Sequence, residues 1–430
     1  MKKFLSAAVA FGLVAGVAAT ASALELKVKG KYQLDGYWID AASTMLSTTV
    51  SADGNSYAVH PWENGYDSDW YQHTFKINAD LIVNDKIKVR SDIRLIDSNT
   101  VWPDTGGTDN GGYVDVNKLW LVYDSPIGKF EIGRRPGGAW GTDFVSSSTN
   151  ADRIFWHFPT SGAFKGYAFL QKQEENDMAA GIDSDGPLVS GFNGGDKDYY
   201  EVGLGYKTDA VTVYGALATS QKDATGYDFW RTKVWGKVAA GPGAVVFEGD
   251  YKFGESSPTV DISSYAFMAG YMGKAGNISY MAGYATISGD NDSDATENNA
   301  YDPSHGTGDD FEPLYILTGN RTNVLNGDAG GTNIVRQSGV HALVGTVDYA
   351  VNEDLTLHGG IGWGMADDEP AGWDDAYGWE LDAGLAYKLY QNLTYELHFG
   401  YWFVGDFAEA GGTLKTDDVM LLSNHLSMSF

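Results

Sequence analysis

Hydrophobic and polar residues alternate along most of this chain. In the segment 24–38, LELKVKGKYQLDGYW, Leu26 and Val28 share one parity, and Lys27 and Lys29 share the other. Successive side chains of a β-strand point to opposite faces, so a period of two indicates strands with one apolar and one polar face. The alternation returns repeatedly until the C-terminus, and the sequence therefore predicts an all-β fold.

The alternation marks 18 candidate strands. Many of them are close to the length of about 9–11 residues that a tilted membrane-spanning strand needs. The predicted strands are 24–38, 71–83, 86–96, 113–124, 129–135, 152–158, 163–172, 198–207, 209–219, 227–239, 243–253, 260–272, 275–288, 336–350, 354–365, 377–389, 391–404 and 419–430.

The connections between these strands alternate between short and long. SPIGK at 125–129 and GPG at 241–243 are short, whereas 40–69 and 289–335 are long and acidic. Short turns on the periplasmic rim and long extracellular loops are typical of a transmembrane antiparallel up-and-down β-barrel. A soluble sandwich or propeller is the alternative, but these folds distribute their loop lengths over both ends. An even number of strands places both termini on the short-turn rim.

The first 23 residues have the pattern of a secretory signal peptide. Two lysines precede an apolar run, and Ala21 and Ala23 occupy the small-residue positions of an A-x-A cleavage site. The sequence predicts cleavage between Ala23 and Leu24, which leaves 24–430 as a single barrel domain. An uncleaved N-terminal anchor is the alternative.

The composition narrows the classes of function. The chain has a formal net charge of −28 and no cysteine. Acidic charge argues against nucleic acid as a partner, because it repels phosphates. The lack of cysteine excludes disulfides, thiolate zinc sites and CxxCH haem attachment.

No motif predicts a metal site, a cofactor or an enzyme. The segment DNDSDATE at 290–297 lacks the glycine and the glutamate that an EF-hand needs, so we expect a solvated acidic loop; the alternative is a loose divalent-cation site that bridges loops to lipopolysaccharide. The eight histidines are spread over the chain, and no GxSxG or HExxH motif frames any of them. The alternative is a catalytic triad whose members meet only in the folded chain.

Three segments make the sequence similar to the bacterial outer-membrane porin family. One is the C-terminal strand, in which Leu426, Met428 and the final Phe430 share the apolar parity. The others are KLWLVYDSPIGKFEIGRRPGGAWGTDF at 118–144 and RIFWHFPTSGAFKGYAF at 153–169. Common porins have 16 strands, and one misassigned hairpin would reduce the predicted 18 to that number.

The resemblance implies a water-filled channel of the bacterial outer membrane for passive diffusion of small hydrophilic solutes and ions. It further implies a homotrimer in contact with lipid and lipopolysaccharide, barrel-assembly machinery that recognises the terminal aromatic residue, and an inward-folding loop near 136–151. The alternatives are a structural barrel around an electron-transfer or secretion partner, and an outer-membrane barrel hydrolase.

The polar parity of the first strands predicts a basic wall along the lumen. By resemblance, Arg134, which follows a glycine in the Gly-Arg pair, joins this wall. Its neighbour of opposite parity, Arg135, is the alternative. A basic wall opposite an acid on the inward loop would create a transverse field across a narrow passage; the alternative is a set of solvated charges in a wide lumen. The candidate constriction residues are Lys88, Arg90, Arg94, Arg134, Arg135 and Asp143.

The outer loops carry a charge opposite to that of the basic wall, so the two features favour different ions. Loop 40–69 has five acids and no lysine or arginine, and loop 366–376 has five acids as well. An acidic mouth concentrates cations and repels anions, and salt weakens this effect. The sequence therefore favours cations slightly.

The terminal aromatic residue generates the first testable prediction. Deletion of Phe430 is expected to reduce the amount of barrel in the outer membrane, because the assembly machinery loses the residue that it recognises. The conductance of each channel that does assemble is expected to change less. Surface labelling of cells measures the first quantity, and normal surface levels of the deletion variant would count against this role.

Overall fold

The computed structural model of the chain describes most of the barrel and parts of its loops. The described residues are 24–40, 48–52, 55–59, 67–102, 114–137, 141–145, 150–174, 197–222, 227–290, 296–301, 311–319 and 337–430. Ala21 and Ala23 of the predicted cleavage site lie outside this set, and Leu24 is its first member.

Antiparallel strands form a closed barrel of 18 members. This result confirms the predicted fold and shows that the alternative of 16 strands was wrong. The barrel strands are β1 (Glu25–Asp40), β2 (Ser68–Ile82), β3 (Ile87–Trp102), β4 (Asp115–Ser125), β5 (Gly128–Arg135), β6 (Ala151–His157), β7 (Phe164–Glu174), β8 (Lys197–Lys207), β9 (Val211–Lys222), β10 (Tyr227–Ala240), β11 (Gly243–Ser257), β12 (Val260–Ala275), β13 (Ile278–Ile287), β14 (Val340–Ala350), β15 (Leu355–Met365), β16 (Ala376–Tyr390), β17 (Leu393–Val404) and β18 (Val419–Ser429).

A few short elements lie outside the barrel ladder. Thr48–Ala52 and Asn55–Val59 form a two-stranded hairpin, and Asp406–Glu409 forms a single turn of 3₁₀-helix. Glu297–Asn298 pairs in parallel with the start of β12. Among the described residues, no helix is long and apolar enough to cross a membrane.

The first and last strands close the barrel. Lys31 of β1 is paired with Ser429 of β18, and the ladder continues to Asp40 and Met420. The backbone of Phe430 exchanges two hydrogen bonds with Gly30, of 2.9 and 3.0 Å. Closure leaves no free sheet edge, which is the condition for a β-structure in lipid.

The apolar parity of the strands faces outward. On β8, Tyr200, Val202 and Leu204 are exposed, and Leu204 leaves 65% of its surface uncovered. Tyr199 and Glu201, on the opposite parity, are buried within the barrel. An apolar outer surface of this kind is stable only against lipid, so the fold fits a membrane rather than water.

The largest apolar cluster lies inside the barrel. Wall residues of β11–β14 pack there against residues of two connecting segments, 141–145 and 311–319. We call these the first and second inward segments. Their members in the cluster are Phe144, Val145, Phe311, Leu314, Ile316 and Leu317.

Candidate functional site

The first inward segment is held to the barrel wall by one carboxylate. Glu248 of β11 is fully buried and accepts the backbone N–H groups of Thr142 and Val145 at 2.6 and 3.0 Å. The Thr142 hydroxyl donates to the same carboxylate at 2.8 Å. An irregular backbone inside a barrel needs such acceptors, because an unpaired buried N–H costs about 1–3 kcal/mol.

The second inward segment is held to the wall by carboxylates of β16. Glu380 of β16, also fully buried, accepts the backbone N–H groups of Ile316 and Leu317, both at 2.6 Å. Asp382 on the same strand accepts the backbone N–H of Tyr315 at 3.1 Å. Two wall carboxylates therefore fix the course of this segment.

Wall glycines let the second segment approach closely. A Cβ atom on Gly362 would lie 2.2 Å from Cδ1 of Leu314, and one on Gly400 would lie 3.2 Å from Cδ1 of Ile316. The absence of side chains at these lumen-facing positions of β15 and β17 creates the space that these two residues occupy.

The two inward segments meet inside the lumen. The rings of Phe144 and Phe311 pack edge to face, with centroids 5.4 Å apart. Phe144 and Val145 are buried, and so are Leu314 and Ile316. The anchoring carboxylates stand on β11 and β16, so the two segments cover the lumen wall at these strands.

Three histidines stand on the lumen face of the wall near the second inward segment. His358, His398 and His425 stand on β15, β17 and β18, and the ring of Tyr315 stacks on that of His398 at 4.3 Å between centroids. The His358 and His425 rings each contact a carboxylate, Asp348 at 2.8 Å and Asp35 at 2.7 Å. Burial, with Asp382 nearby, raises the pKa of the Tyr315 hydroxyl, so the stacked ring stays neutral.

Two of these histidines, His398 and His425, border a cavity of about 330 Å³. Lys31, Tyr37, Tyr315 and Glu396 belong to its lining. Among the described residues, no group of histidines and carboxylates is arranged to hold a metal ion.

Carboxylates contact two of the basic side chains on the lumen face of the first strands. Arg90 Nε lies 2.9 Å from Asp80 Oδ1, and Lys118 Nζ lies 3.1 Å from Asp92 Oδ2. Lys88 and Arg94 stand on the same face of β3 as Arg90, paired with Ile82 and Lys76 of β2.

The neighbouring arginines of β5 lie on opposite faces. Arg134 is paired with Leu119 and lies on the outer face, where its side chain is about half exposed and contacts Asp152. Arg135 lies on the lumen face, with Nε 2.8 Å from Glu131 Oε2. The structure thus places Arg135, and not Arg134, among the lumen residues.

Asp143 lies on the first inward segment. It has a positive φ of 64° and borders a cavity of about 1210 Å³. The described lining of that cavity contains Lys207, Lys237 and Lys274 and does not contain Lys88, Arg90 or Arg94. The pairing of Asp143 with the β3 wall stays a prediction.

Aromatic rings on the lumen face were not among the predicted site residues. The Arg135 guanidinium carbon lies 4.3 Å from the ring centroid of Phe155, and that of Arg153 lies 4.9 Å from Phe169. The parity of β6 and β7 contains this signal, because Arg153 and Phe155 alternate with the outward Ile154.

Solved outer-membrane porins share this fold. OccK5 (OpdH) of Pseudomonas aeruginosa is 11% identical, covers 94% of this chain and 98% of its own, and has a TM-score of 0.52. A BenF-like porin from Pseudomonas fluorescens Pf-5 is also 11% identical, with coverages of 94% and 98% and a TM-score of 0.53. OpdO of Pseudomonas aeruginosa is 13% identical, with coverages of 94% and 97% and a TM-score of 0.53.

These similarities define the class of fold. The chain has the fold of an outer-membrane porin, as its C-terminal strand and its segments 118–144 and 153–169 predicted. At these identities the similarity concerns the fold alone. No protein-family model matches the sequence, and no curated protein is significantly similar to it.

The anchoring of the second inward segment is testable with Glu380→Ala. This change removes the acceptor of two backbone N–H groups, and each unpaired N–H costs about 1–3 kcal/mol. The segment is expected to leave the wall intermittently, so single-channel recordings should show more current noise and altered mean conductance.

The matched control is Glu396→Ala. Glu396 is also a lumen-facing glutamate, but its partner is the His398 side chain, at 3.4 Å. An equal increase in current noise in both variants would show that loss of a lumen carboxyl group, rather than release of the segment, causes the effect.

Proposed function

We propose that this protein is a passive diffusion channel of the bacterial outer membrane for small hydrophilic solutes and ions. The observation that carries this proposal is a closed barrel whose lumen is narrowed on one side and lined by charged side chains on the other. A barrel of this strand number encloses more space than its own wall residues fill. The inward segments occupy part of that space, and the proposed passage uses the rest.

The setting of the channel belongs to the same proposal. We propose that the signal peptide is cleaved before Leu24 and that the assembly machinery recognises Leu426, Met428 and Phe430. The mature protein then forms a homotrimer in contact with lipid and lipopolysaccharide. The exposed outer position of Phe430, with 58% of its surface uncovered, supports contact with lipid or with an assembly factor. The short-turn rim then faces the periplasm and the long acidic loops face outward.

A sheath around a separate partner chain is less well supported. Such a barrel needs a lumen that another chain can enter. Here Phe144 and Phe311 meet inside the barrel, and the chain's own segments cover the wall between β11 and β16. These contacts favour a diffusion channel.

A hydrolase remains the second candidate because of one observation. Ser423 Oγ lies 3.1 Å from His425 Nε2, and His425 Nδ1 lies 2.7 Å from Asp35 Oδ1, which is the order of a nucleophile, a base and its orienting acid. However, Ser423 is only 2% exposed, and the backbone around it is paired with β1 and β17, so it offers no oxyanion hole. We therefore propose that the protein is not an enzyme.

The hydrolase candidate has a direct test. The wild-type barrel and the Ser423→Ala variant are expected to hydrolyse p-nitrophenyl acetate at the same background rate. A rate that falls to background in this variant would establish the catalytic role and contradict the proposal.

The channel proposal is tested by reconstitution into a planar bilayer under a salt gradient. Discrete, solute-sized conductance steps are expected, and their absence would refute the channel. The sign of the reversal potential then shows whether the acidic outer loops or the basic wall dominates ion preference.

The basic wall is tested with the double variant Arg90→Ser, Arg94→Ser. It removes two lumen cations and leaves the Asp80 carboxylate without its arginine partner. The reversal potential is therefore expected to move toward cation selectivity. The control is Arg134→Ser, an arginine on the outer face, which should leave the potential unchanged. An unchanged potential in the double variant would place Arg90 and Arg94 outside the narrow part of the passage.

A further inference from the structure

We propose that the barrel forms its homotrimer by docking two different outer surfaces of neighbouring copies against each other. The first is the outer face of β5 and β6, which carries Arg134 and Asp152 and which we call the short-wall surface. The second is the outer face of β18, β1 and β2, which carries His73 and Asn424 and which we call the amide surface. The inference rests on the proposed channel, because it names how copies of that channel assemble.

The strands of the short-wall surface are too short to cross the membrane. β5 has 8 residues and β6 has 7, whereas every other barrel strand has at least 10. A tilted strand needs about 9–11 residues to span the hydrocarbon. β5 ends at Arg135, and the chain returns to the wall only at Ala151. Because irregular backbone is not stable in lipid at this depth, the upper part of this surface needs a protein cover.

The short-wall surface also carries an ion pair among apolar residues. Arg134 lies directly opposite Asp152 on one side and opposite Leu119, an outward leucine that is 51% exposed, on the other. Both charged residues are four positions from the stacked rings of Phe130 and Trp156 near the short turns, which is about 13 Å along the strand. The apolar band of such a barrel is about 25 Å tall, so the ion pair stands within it.

The two charges favour a protein partner over lipid. Arg134 Nη1 and Asp152 Oδ2 are 3.5 Å apart, and the two side chains keep 52% and 62% of their surface uncovered. Charged side chains that face lipid destabilise a barrel at this depth. A phosphate of a lipid headgroup would pair with the arginine but would repel the aspartate. An amide of a second copy satisfies both charges, because its oxygen accepts and its nitrogen donates.

The amide surface offers such a group. Asn424 stands on the outer face of β18, directly opposite Gly36 of β1 and Leu397 of β17. Its side-chain amide makes no hydrogen bond to the described residues. Hydrocarbon supplies no hydrogen-bond partner, so lipid is an unfavourable cover for this amide. Gly36 leaves room for the amide, since a Cβ atom there would lie 2.8 Å from Asn424 Nδ2.

A polar ring adds to the amide surface. His73 stands on the outer face of β2, directly opposite Leu34 of β1, and its Nδ1 lies 3.5 Å from the Tyr32 hydroxyl. Leu34 is in turn opposite Leu426 of β18, two positions from Asn424. His73 and Asn424 therefore belong to one outward patch that spans three adjacent strands.

The spacing of the two surfaces fits a threefold ring. One strand of an 18-strand barrel occupies about 20° of the circumference, so β2 and β5, three strands apart, are separated by about 60°. In a ring of three barrels, the directions from one barrel to its two neighbours also differ by about 60°. A contact between two different surfaces closes such a ring, whereas a twofold dimer uses one surface against itself.

The outer face elsewhere is suited to lipid. Leu217 of β9 and Leu343 of β14 point outward and are 43% and 51% exposed. Among the described residues, charged side chains on the outer face of β7–β17 stand eight or more positions from the short-turn end of their strand, as Lys172 does. Arg134 stands only six positions from that end of β5. The short-wall surface is therefore the one that places charge at the depth where the rest of the described outer face is uncharged.

The contact is tested by cross-linking in a chain that has no cysteine of its own. The double variant Ile154→Cys, Leu422→Cys places one thiol on the outer face of β6 and one on that of β18, and a short bifunctional thiol reagent is added to the membranes. Covalent dimers and trimers are expected. The two thiols of one barrel are six strands apart, about 29 Å along the wall, so only neighbouring copies bring them together.

The matched control is Leu217→Cys, Leu343→Cys, two outward positions that are five strands apart. This variant is expected to stay monomeric under the same treatment, because these positions face lipid. No covalent trimer with the first pair, or an equal yield of trimer with both pairs, would overturn the interface.

The polar groups are tested by the association constant of the trimer in detergent, measured by native mass spectrometry. Asn424→Leu and Arg134→Gln are each expected to lower this constant roughly tenfold or more, because each removes an interaction between copies. Leu343→Ala, on the outer face of β14, is the control and should leave the constant within about twofold of wild type. If lipid or a loop of the same chain covers the amide surface, Asn424→Leu leaves the constant unchanged and raises the unfolding temperature of the barrel, which would overturn the interface.

These experiments separate the interface from the channel. A wild-type protein that conducts, purifies as a monomer and gives no cross-links overturns the interface and leaves the channel proposal intact. A cross-linked trimer without discrete conductance supports the interface and refutes the channel. The cross-linking pair leaves all four polar residues of the two surfaces in place, so it serves if Asn424→Leu or Arg134→Gln does not fold.

Discussion

Lipid offers no hydrogen-bond partner to a backbone N–H or C=O group, so a β-structure in a membrane must pair every strand. In this chain that requirement is met where β1 pairs with β18, and Phe430 completes the last ring of hydrogen bonds with Gly30. The closed ladder fixes which parity faces lipid. The opposite parity then has to line an interior that the wall alone does not fill.

The same requirement governs the interior. The inward segments are irregular, and their N–H groups need acceptors that no sheet provides. Glu248 and Glu380 supply them, and Asp382 adds a third acceptor. These acceptors stand on two strands, β11 and β16, and they fix where the segments contact the wall.

Much of the fold is predictable from the sequence because a strand pattern is local. The period of two and the alternation of short and long connections determine the strand number and the outward parity. Parity also places the neighbours Arg134 and Arg135 on opposite faces of the sheet. The first inward segment was expected only through the resemblance to porins. Its acceptor Glu248 was not expected, because a single glutamate on a strand carries no signal of what it will contact.

The second inward segment was missed for a physical reason. Its residues lie in the connection 289–335, whose acidic composition predicts a solvated loop. The apolar group Leu314, Ile316 and Leu317 is a local exception in that loop, and it has matching glycines at 362 and 400 on the wall. Only the fold brings these distant positions together. The predicted pairing of Asp143 with the β3 cations stays a prediction, because distances across a lumen are absent from the sequence.

The most direct test of an asymmetric, water-filled passage is the reaction of single cysteine variants with a membrane-impermeant thiol reagent, in a chain that has no cysteine of its own. Arg90→Cys places a thiol on the open wall, whereas Met268→Cys places one where the Thr142 hydroxyl lies 3.8 Å from the Met268 sulfur. The account predicts rapid modification and a fall in channel current for Arg90→Cys, and no modification of folded Met268→Cys. Equal reaction of both variants would contradict it.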